Sequence, residues 1–286
     1  MASARDIIAA EIQARDLVRN SRSSFYWAMR ILPANKRQAM YAIYAFCRII
    51  DDIADGAGQE LEKRARLNFW RQQLDQLYQG NPGEFVGLAL LQPVRRYDLR
   101  QDDFLAVIEG MERDAGPSVR MANEADLQAY CDAVACSVGR LSNQVFGIDR
   151  VTGAAIAGAL GQALQLTNIL RDVAEDAACD RLYMPRDLLA RHGIESDDPV
   201  TVIGDLEFPA ACRELAGVAL EHYQNADRLL DRCGRKRLRP AVLMMENYRR
   251  VLAKLQRRGW RHLDRPVRLT LPEKIGVMVR YGWLPL

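Results

Sequence analysis

Apolar residues recur at intervals of three and four positions along most of this 286-residue chain. That spacing places side chains on one face of an α-helix, whereas the β-branched alternation that is typical of strands is nearly absent. The clearest helical segments are 39–55, 61–80, 102–114, 155–176, 209–231 and 240–259. We therefore predict an all-α fold.

Short turns separate these helical segments. Examples are Gly80-Asn81-Pro82-Gly83 and Asp197-Asp198-Pro199, and no turn is long enough to be a flexible linker. A chain of this length can bury one large core, and 49% hydrophobic with 27% charged residues is an ordinary globular composition. We predict one domain over residues 1–286.

The chain contains no window of about 18 apolar residues that is free of charge. Its beginning, MASARDIIAAEIQARDLVRN, mixes both charge signs from Arg5 onward, unlike the uncharged centre of a signal peptide. We predict neither a membrane-spanning helix nor a signal peptide, and we expect a cytoplasmic protein.

Positive charge is concentrated at the C-terminal end. Residues 232–286 contain 15 Lys or Arg and three acidic residues; since these contribute +12 to a total of +3, the preceding 231 residues carry −9. Solvated helix faces explain such a segment, and so does a site for an anionic substrate or for anionic lipid headgroups. We expect no nucleic-acid partner, because the remainder is acidic and contains no recognised binding motif.

The segment 259–286 also combines Trp260 and Trp283 with arginines and apolar residues. This composition is typical of segments that lie at a membrane surface. Peripheral contact with the inner membrane face is therefore expected as a secondary property.

An acidic stripe interrupts the first strongly apolar helix, in the sequence CRIIDDIAD. Arg48 is followed by Asp51 or Asp52 and then by Asp55, at offsets of three or four and seven, so that one side of the helix presents an arginine and stacked carboxylates.

A second stripe lies about 120 residues later, in QLTNILRDVAED. Gln165, Asn168, Asp172 and Asp176 fall on one helix face, and Arg171 lies on its flank. Small and apolar residues surround both stripes, which is the pattern of helices that line a cavity.

Like charges at this spacing destabilise an exposed helix by roughly 0.2–0.5 kcal/mol per pair. Magnesium would compensate, because it takes oxygen ligands from one or two carboxylates and fills its other positions with water and phosphate oxygens. One such stripe alone is more often a solvated face. Two stripes predict a pair of helices that hold a diphosphate between them.

Cationic residues suited to a diphosphate lie in or near these stripes. Arg48, Arg171 and Arg181 are the first candidates, and Arg265 and Lys274 follow nearer the C-terminus. Arginine is favoured because its planar guanidinium forms two parallel N–H bonds to phosphate oxygens.

Five segments together resemble the head-to-head prenyl synthases, the family that includes squalene, dehydrosqualene and phytoene synthases. They are SSFYWAMRILP (23–33), YAIYAFCRIIDDIAD (41–55), YCDAVACSVG (130–139), GQALQLTNILRDVAED (161–176) and RLYMP (181–185). The first two are most similar to bacterial presqualene diphosphate synthases of the hopanoid and squalene pathway.

The resemblance implies a single bundle of helices around a central cavity. It also implies condensation of two farnesyl diphosphates, assisted by two or three Mg²⁺ ions, into a cyclopropane product that keeps one diphosphate. Some relatives carry a His just before the Ser-rich segment, where this chain has Ser21 and Arg22.

The acidic stripes, the cationic residues and the positions that match the family together give the predicted site. Expected metal ligands are Asp51, Asp52, Asp55, Asn168, Asp172 and Asp176. Expected substrate contacts are Ser24, Phe25, Arg48, Gln165, Asn168, Arg171, Arg181, Tyr183 and Arg265. Catalytic roles are expected for Tyr44, Arg48, Tyr130, Arg171 and Tyr248.

Two features of the reaction stay open at this point. Ring closure must release a proton, and Tyr130, Tyr248 or the departing diphosphate could accept it, with Tyr130 preferred. The small and large residues between Ala154 and Leu164 form either one wall of a tunnel for a prenyl tail or a closely packed helix pair.

Several alternatives remain within and outside the family. A phytoene synthase, a dehydrosqualene or squalene synthase and a terpene cyclase use related acidic motifs, although YCDAVACSVG and RLYMP argue against the cyclase. A non-catalytic helical protein that binds membranes is the alternative outside the enzymes. Since no GxGxxG loop is present, we predict no NADPH requirement and expect that downstream enzymes consume the diphosphate product.

Overall fold

The computed structural model describes residues 3–21, 24–263 and 265–283, with the side chains of Ser24 and Trp283 outside the description. Helices dominate these residues, which confirms the all-α prediction. They are α1 (Ala4–Asn20), α2 (Ser24–Arg30), α3 (Ala34–Asp55), α4 (Glu60–Tyr78), α5 (Phe85–Tyr97), α6 (Gln101–Asp114), α7 (Glu124–Cys131), α8 (Ser137–Phe146), α9 (Arg150–Ala178), α10 (Arg186–Arg191), α11 (Pro199–Gly204), α12 (Phe208–Cys233), α13 (Arg239–Arg258) and α14 (Leu271–Val277). Two π-helical turns, Asp132–Cys136 and Met278–Trp283, and two short strands, β1 (Val119–Arg120) and β2 (Arg181–Leu182), complete the elements.

Helix α9 is the central element of the bundle. It packs against α8, α12, α13 and the first π turn, and its buried residues occur on nearly every side. Close approach to the π turn requires a glycine, because a Cβ on Gly161 would lie 2.8 Å from the Cα and backbone nitrogen of Cys136. Helix α3 packs beside α8, and α8 packs on α9, so both helices that carry an acidic stripe lie within the bundle.

The two strands link distant parts of the chain. Val119 pairs with Arg181 and Arg120 with Leu182 in a parallel ladder, which joins the loop after α6 to the chain that follows α9. This ladder brings Arg181 and Tyr183 to the C-terminal end of α6.

The C-terminal segment crosses back over the end of α9. Helix α13 is followed by Gly259, whose φ of 74° is in the left-handed region. The indole nitrogen of the next residue, Trp260, donates to the carbonyl of Leu170 at 2.8 Å. Helix α14 packs on α13.

None of the helices in the described ranges is long and apolar enough to cross a membrane.

Candidate active site

A cavity of about 280 Å³ lies inside the bundle between α2, α3, α8, α9 and α13. Along α9 its lining runs from Ile156 to Asn168, and a rise of about 1.5 Å per residue makes this wall about 18 Å long. Apolar side chains such as Met40 and Phe146 line the end near the start of α3 and α9. The cavity is therefore an elongated apolar space, as a prenyl tail requires.

Polar residues line the other end of this cavity. Tyr44, Gln165, Asn168 and Tyr248 lie there, at the end of α3 and α9 that leads to the acidic stripes. The Asn168 amide donates to Gln165 at 3.2 Å, and the buried Oδ1 atom of Asn168 has no hydrogen-bond partner among the described residues. A buried acceptor without a donor is costly, so this oxygen is suited to a ligand.

The first stripe is held by its own arginine. The guanidinium of Arg48 contacts Asp51 at 3.1 Å and Asp52 at 2.6 Å. Burial, followed by the neighbouring carboxylate of Asp55, raises the pKa of Asp51 to about 6. The stripe therefore carries more negative charge than Arg48 alone neutralises.

The second stripe has the same character. Arg171 forms two contacts with Asp172, at 2.7 and 2.5 Å. Burial, followed by the negative charge of Asp172, raises the pKa of Asp176 to about 8, and Asp114 and Asp55 contribute to this shift. Asp176 therefore lies close enough to Asp55 to be repelled by it, so the two stripes meet at one end of the cavity.

A buried hydrogen-bond network lies beside the meeting point. Asp114, at the end of α6, accepts the hydroxyl of Tyr130 at 2.7 Å and that of Tyr183 at 2.6 Å. The two rings stack with their centroids 5.0 Å apart. Arg181 joins this network to the first stripe, because it donates to Asp55 at 2.7 Å and to the carbonyl of Asp114 at 2.8 Å.

Burial and the charge of Asp114 raise the pKa of the Tyr130 hydroxyl far above its usual range. Burial also raises the pKa of Asp114, although both tyrosine hydroxyls oppose that shift. Tyr130 is therefore a neutral phenol whose hydroxyl donates a hydrogen bond to the Asp114 carboxylate.

Asp114 was not among the site residues predicted from the sequence. The available signal was its position, since it continues the buried stripe of Phe104 and Val107 on α6, where an acidic residue is unusual. Its tyrosine partners lie 16 and 69 residues away, so no local pattern indicates the network.

A second, polar pocket of about 570 Å³ lies between α9 and the segment after α13. Arg171, Asp172, Arg268 and Lys274 line it, and Tyr248 lines both this pocket and the apolar cavity. Burial raises the pKa of the Tyr248 hydroxyl, which lies beside Arg171. Tyr248 therefore separates the polar pocket from the apolar cavity.

The remaining predicted residues lie at the edges of these spaces. Phe25 and Tyr44 line the apolar cavity with ring centroids 6.0 Å apart, and Tyr44 donates to Ser21 at 3.1 Å. The side chain of Ser24 and all of Arg22 lie outside the described residues. Arg265 is exposed in the segment that crosses the polar pocket.

The two alternatives for α9, a wall of an apolar space and close helix packing, both describe part of this segment. Ala157, Leu160, Gly161 and Leu164 line the cavity, while Gly161 also packs tightly against the π turn. Ala154 is exposed and belongs to neither.

The donor set fits a hard divalent cation, although the carboxylates do not form a compact group as they stand. Across residues 3–21, 24–263 and 265–283, no three acidic, His or Cys side chains are arranged to hold a metal ion. The observed Arg pairs hold Asp51, Asp52, Asp55 and Asp172. Nevertheless, burial and neighbouring carboxylates raise the pKa values of Asp51 and Asp176 in spite of the nearby arginines, and the Oδ1 atom of Asn168 has no partner among the described residues. All three side chains offer the oxygen ligands that a hard cation takes.

Comparison with known proteins agrees with this geometry. Residues 18–273 match the squalene/phytoene synthase family. The presqualene diphosphate synthase of Rhodopseudomonas palustris is 41% identical over 91% of this chain and 93% of its own length, and that of Sinorhizobium fredii is 43% identical over the same shares. A phytoene synthase from Thermus thermophilus is 35% identical over 90% of this chain and 87% of its own.

Solved structures share the fold. A squalene synthase from Alicyclobacillus acidocaldarius superposes with a TM-score of 0.80 at 26% identity, covering 92% of this chain and 98% of that one. A dehydrosqualene synthase superposes with a TM-score of 0.84 at 24% identity, over 97% of both chains. The resemblance drawn from the sequence is thus confirmed, and the chain belongs to the squalene/phytoene synthase family.

Proposed function

We propose that this protein joins two farnesyl diphosphates head to head, forms presqualene diphosphate and releases one diphosphate. The observation that carries the proposal is the elongated apolar cavity that ends at two facing acidic stripes, each paired with arginine. The identity of 41–43% to two presqualene diphosphate synthases supports this member of the family.

Two or three magnesium ions are proposed to bind at the acidic end. The residues that would hold them are Asp51, Asp52, Asp55, Asn168, Asp172 and Asp176. When bound, magnesium supplies Lewis-acid neutralisation of the charge that develops on the leaving diphosphate. The unpartnered oxygen of Asn168 and the raised pKa values of Asp51 and Asp176 support this assignment.

Three arginines prepare the site for the diphosphates. Arg48, Arg171 and Arg181 each pair with a carboxylate. When substrate binds, each guanidinium can exchange a carboxylate oxygen for a phosphate oxygen without moving far. Gln165 and Arg265 are proposed as further contacts to the substrate.

Loss of the first diphosphate leaves an allylic cation that the double bond of the second chain attacks. The apolar lining excludes water, which would otherwise quench the cation. The rings of Phe25 and Tyr44 line the same space, and each aromatic face can stabilise a cation by about 0.5–2 kcal/mol.

Closure of the cyclopropane ring releases one proton from carbon. The hydroxyl of Tyr130 is proposed to accept it while passing its own proton to Asp114, with Tyr183 holding the other carboxylate oxygen. Tyr248 and the released diphosphate remain the competing acceptors, because Tyr248 lies at the polar end of the cavity.

The proposed setting is the cytoplasm, with peripheral contact at the inner membrane face. No NADPH requirement is proposed, so the cyclopropyl diphosphate would pass to downstream enzymes that reduce or rearrange it. The concentration of basic residues after residue 231 supports membrane contact.

Incubation of the purified protein with farnesyl diphosphate and magnesium, with and without NADPH, tests the proposal by mass spectrometry of the products. A thirty-carbon monodiphosphate that persists with NADPH is expected. Squalene would instead indicate the two-step reaction, and turnover restricted to geranylgeranyl diphosphate would indicate a phytoene synthase.

Matched variants make this experiment specific. Asp51→Asn with Asp172→Asn should abolish the product, because each removes a proposed metal ligand. Asp16→Asn with Asp102→Asn changes the same number of charges at exposed positions and should leave turnover intact.

A further inference from the structure

We propose that the outer face of α14 and the π turn after it docks on an anionic phospholipid bilayer. This docking face consists of Leu271, Ile275 and Val279, whose side chains are 70%, 54% and 43% exposed. They follow each other at four-residue spacing and so form one stripe. The inference rests on the proposed function, because that function gives the protein substrates with lipid-like tails.

The orientation of this helix is fixed by its opposite face. Val277 is fully buried in a small cluster with Ala28, Leu243 and Met244. A capping box between Thr270 and Glu273 holds the first turn. The exposed stripe is therefore not the result of a loosely attached helix.

A basic groove of about 350 Å³ lies between α13 and α14, beside the docking face. Arg250, Lys254 and Arg257 line it, opposite Glu273, which pairs with Lys254 at 2.6 Å. Within the described ranges, Arg250 and Arg257 have no carboxylate within salt-bridge distance. Two uncompensated guanidinium groups next to an apolar stripe match the phosphate and acyl layers of an anionic leaflet.

The same end of the molecule borders the prenyl cavity. Ala28 and Met244 line the cavity and also belong to the cluster beneath α14. One layer of side chains therefore separates the C-terminal segment from the cavity. Helix α2, which packs on α13, in addition exposes Trp27 (56%), a residue type that is enriched at membrane interfaces.

Another exposed apolar pair provides an internal comparison. Ile8 and Ile12 on α1 have the same four-residue spacing and similar exposure, 57% and 44%. Their helix carries Glu11 and Asp16 together with its arginines, and its residues line neither the apolar cavity, the polar pocket nor the basic groove. Exposure and spacing alone therefore do not distinguish the docking face; the adjoining basic groove does.

The test is co-sedimentation of the full chain with vesicles of phosphatidylcholine and phosphatidylglycerol in a two-to-one ratio at low salt. Vesicles of phosphatidylcholine alone measure the contribution of the anionic headgroup. Leu271→Ser with Ile275→Ser removes the stripe, and Arg250→Gln with Arg257→Gln removes the groove charges. Ile8→Ser with Ile12→Ser, and Arg5→Gln with Arg66→Gln, are the matched controls.

We expect the wild-type protein to sediment with the anionic vesicles and to bind neutral vesicles much more weakly. Each basic residue near an anionic leaflet contributes about fivefold in affinity, so the double arginine variant should lose about 25-fold. The Leu271 and Ile275 variant should lose at least about tenfold. Both control pairs should bind as the wild type does.

Turnover of farnesyl diphosphate in detergent solution is measured on the same proteins. Unchanged turnover in the docking variants would separate the docking face from the active site. An inactive protein that still sediments would overturn the proposed function and leave the docking face supported. Absence of wild-type sedimentation, or equal loss in the control pairs, would overturn the docking proposal.

Discussion

Replacing Asp114 by asparagine tests the buried network beside the acidic stripes. The change keeps the size of the side chain and removes its charge. Tyr130 and Tyr183 then face a neutral amide, which can accept from one hydroxyl and must donate to the other. The stacked rings should stay in place, whereas Tyr130 loses the group that can receive its proton.

The expected stability change is small because two effects oppose each other. A hydrogen bond to a charged group is worth about 1.5–3 kcal/mol and a neutral one about 0.5–1.5, so two weakened bonds cost about 2–3 kcal/mol. Asp114 also contributes to the raised pKa values of Asp51 and Asp176, so its neutralisation relieves repulsion. The net decrease in the free energy of unfolding should be about 1–2 kcal/mol.

The expected effect on catalysis is much larger. General acid–base catalysis contributes about 10²–10⁴-fold, so kcat should fall by about that factor. Urea unfolding and steady-state turnover with farnesyl diphosphate measure the two quantities on the same preparation.

Asp103→Asn is the matched control, because Asp103 is buried on the same helix and accepts from Arg140 at 2.6 Å. It should cost about 3 kcal/mol of stability and leave kcat of the folded protein intact. If Asp114→Asn retained kcat within about threefold of the wild type, the proton-transfer role of Tyr130 and Asp114 would be wrong and the network would be structural.

Three further predictions follow from the same geometry. Gly161→Ala should lower the free energy of unfolding by about 1–3 kcal/mol, because its Cβ would meet backbone atoms of Cys136, whereas Gly158→Ala, with open space around it, should be neutral or stabilising in the same urea titration. In metal-free protein the melting temperature should fall from pH 6 to pH 8, because the pKa of Asp176 is about 8 in the folded state and about 4 in the unfolded state, so only the folded state holds the proton over this range. Added magnesium or Asp176→Asn should flatten this dependence, and a flat wild-type profile would refute it. Phe146→Ala should lengthen the apolar end of the cavity and shift the kcat/KM ratio toward geranylgeranyl diphosphate by about tenfold or more, and an unchanged ratio would place the end of the tail elsewhere.

Most of the long helices could be predicted from sequence, because they carry apolar residues at three- and four-residue intervals. The segment 155–176 lies within α9, and 102–114 falls within α6. The acidic stripes were also predictable, since each is a local pattern on one helix. Both predictions depend on residues within a few turns of each other.

Contacts between distant segments could not be predicted in the same way. The network of Asp114 depends on the parallel pairing of β1 and β2, two strands of two residues each that carry almost no sequence signal. The π turn at Asp132–Cys136 likewise follows from how α6 and α9 pack around it, since Gly110 and Gly161 both leave room for its backbone or side chains.

Helix α9 carries the wall of the tail cavity and the second acidic stripe on one continuous rod. Each residue of an α-helix turns the chain by about 100°, so one inserted residue between Ile156 and Asn168 would swing Asp172 and Asp176 away from their partners. Descendants of this chain can therefore change the length of the substrate tail that they accept by altering the size of side chains along the cavity. Insertions or deletions within α9 would instead disrupt the alignment of the cavity wall with the acidic stripe. Tail selectivity should evolve through substitutions, with the length of this helix held constant.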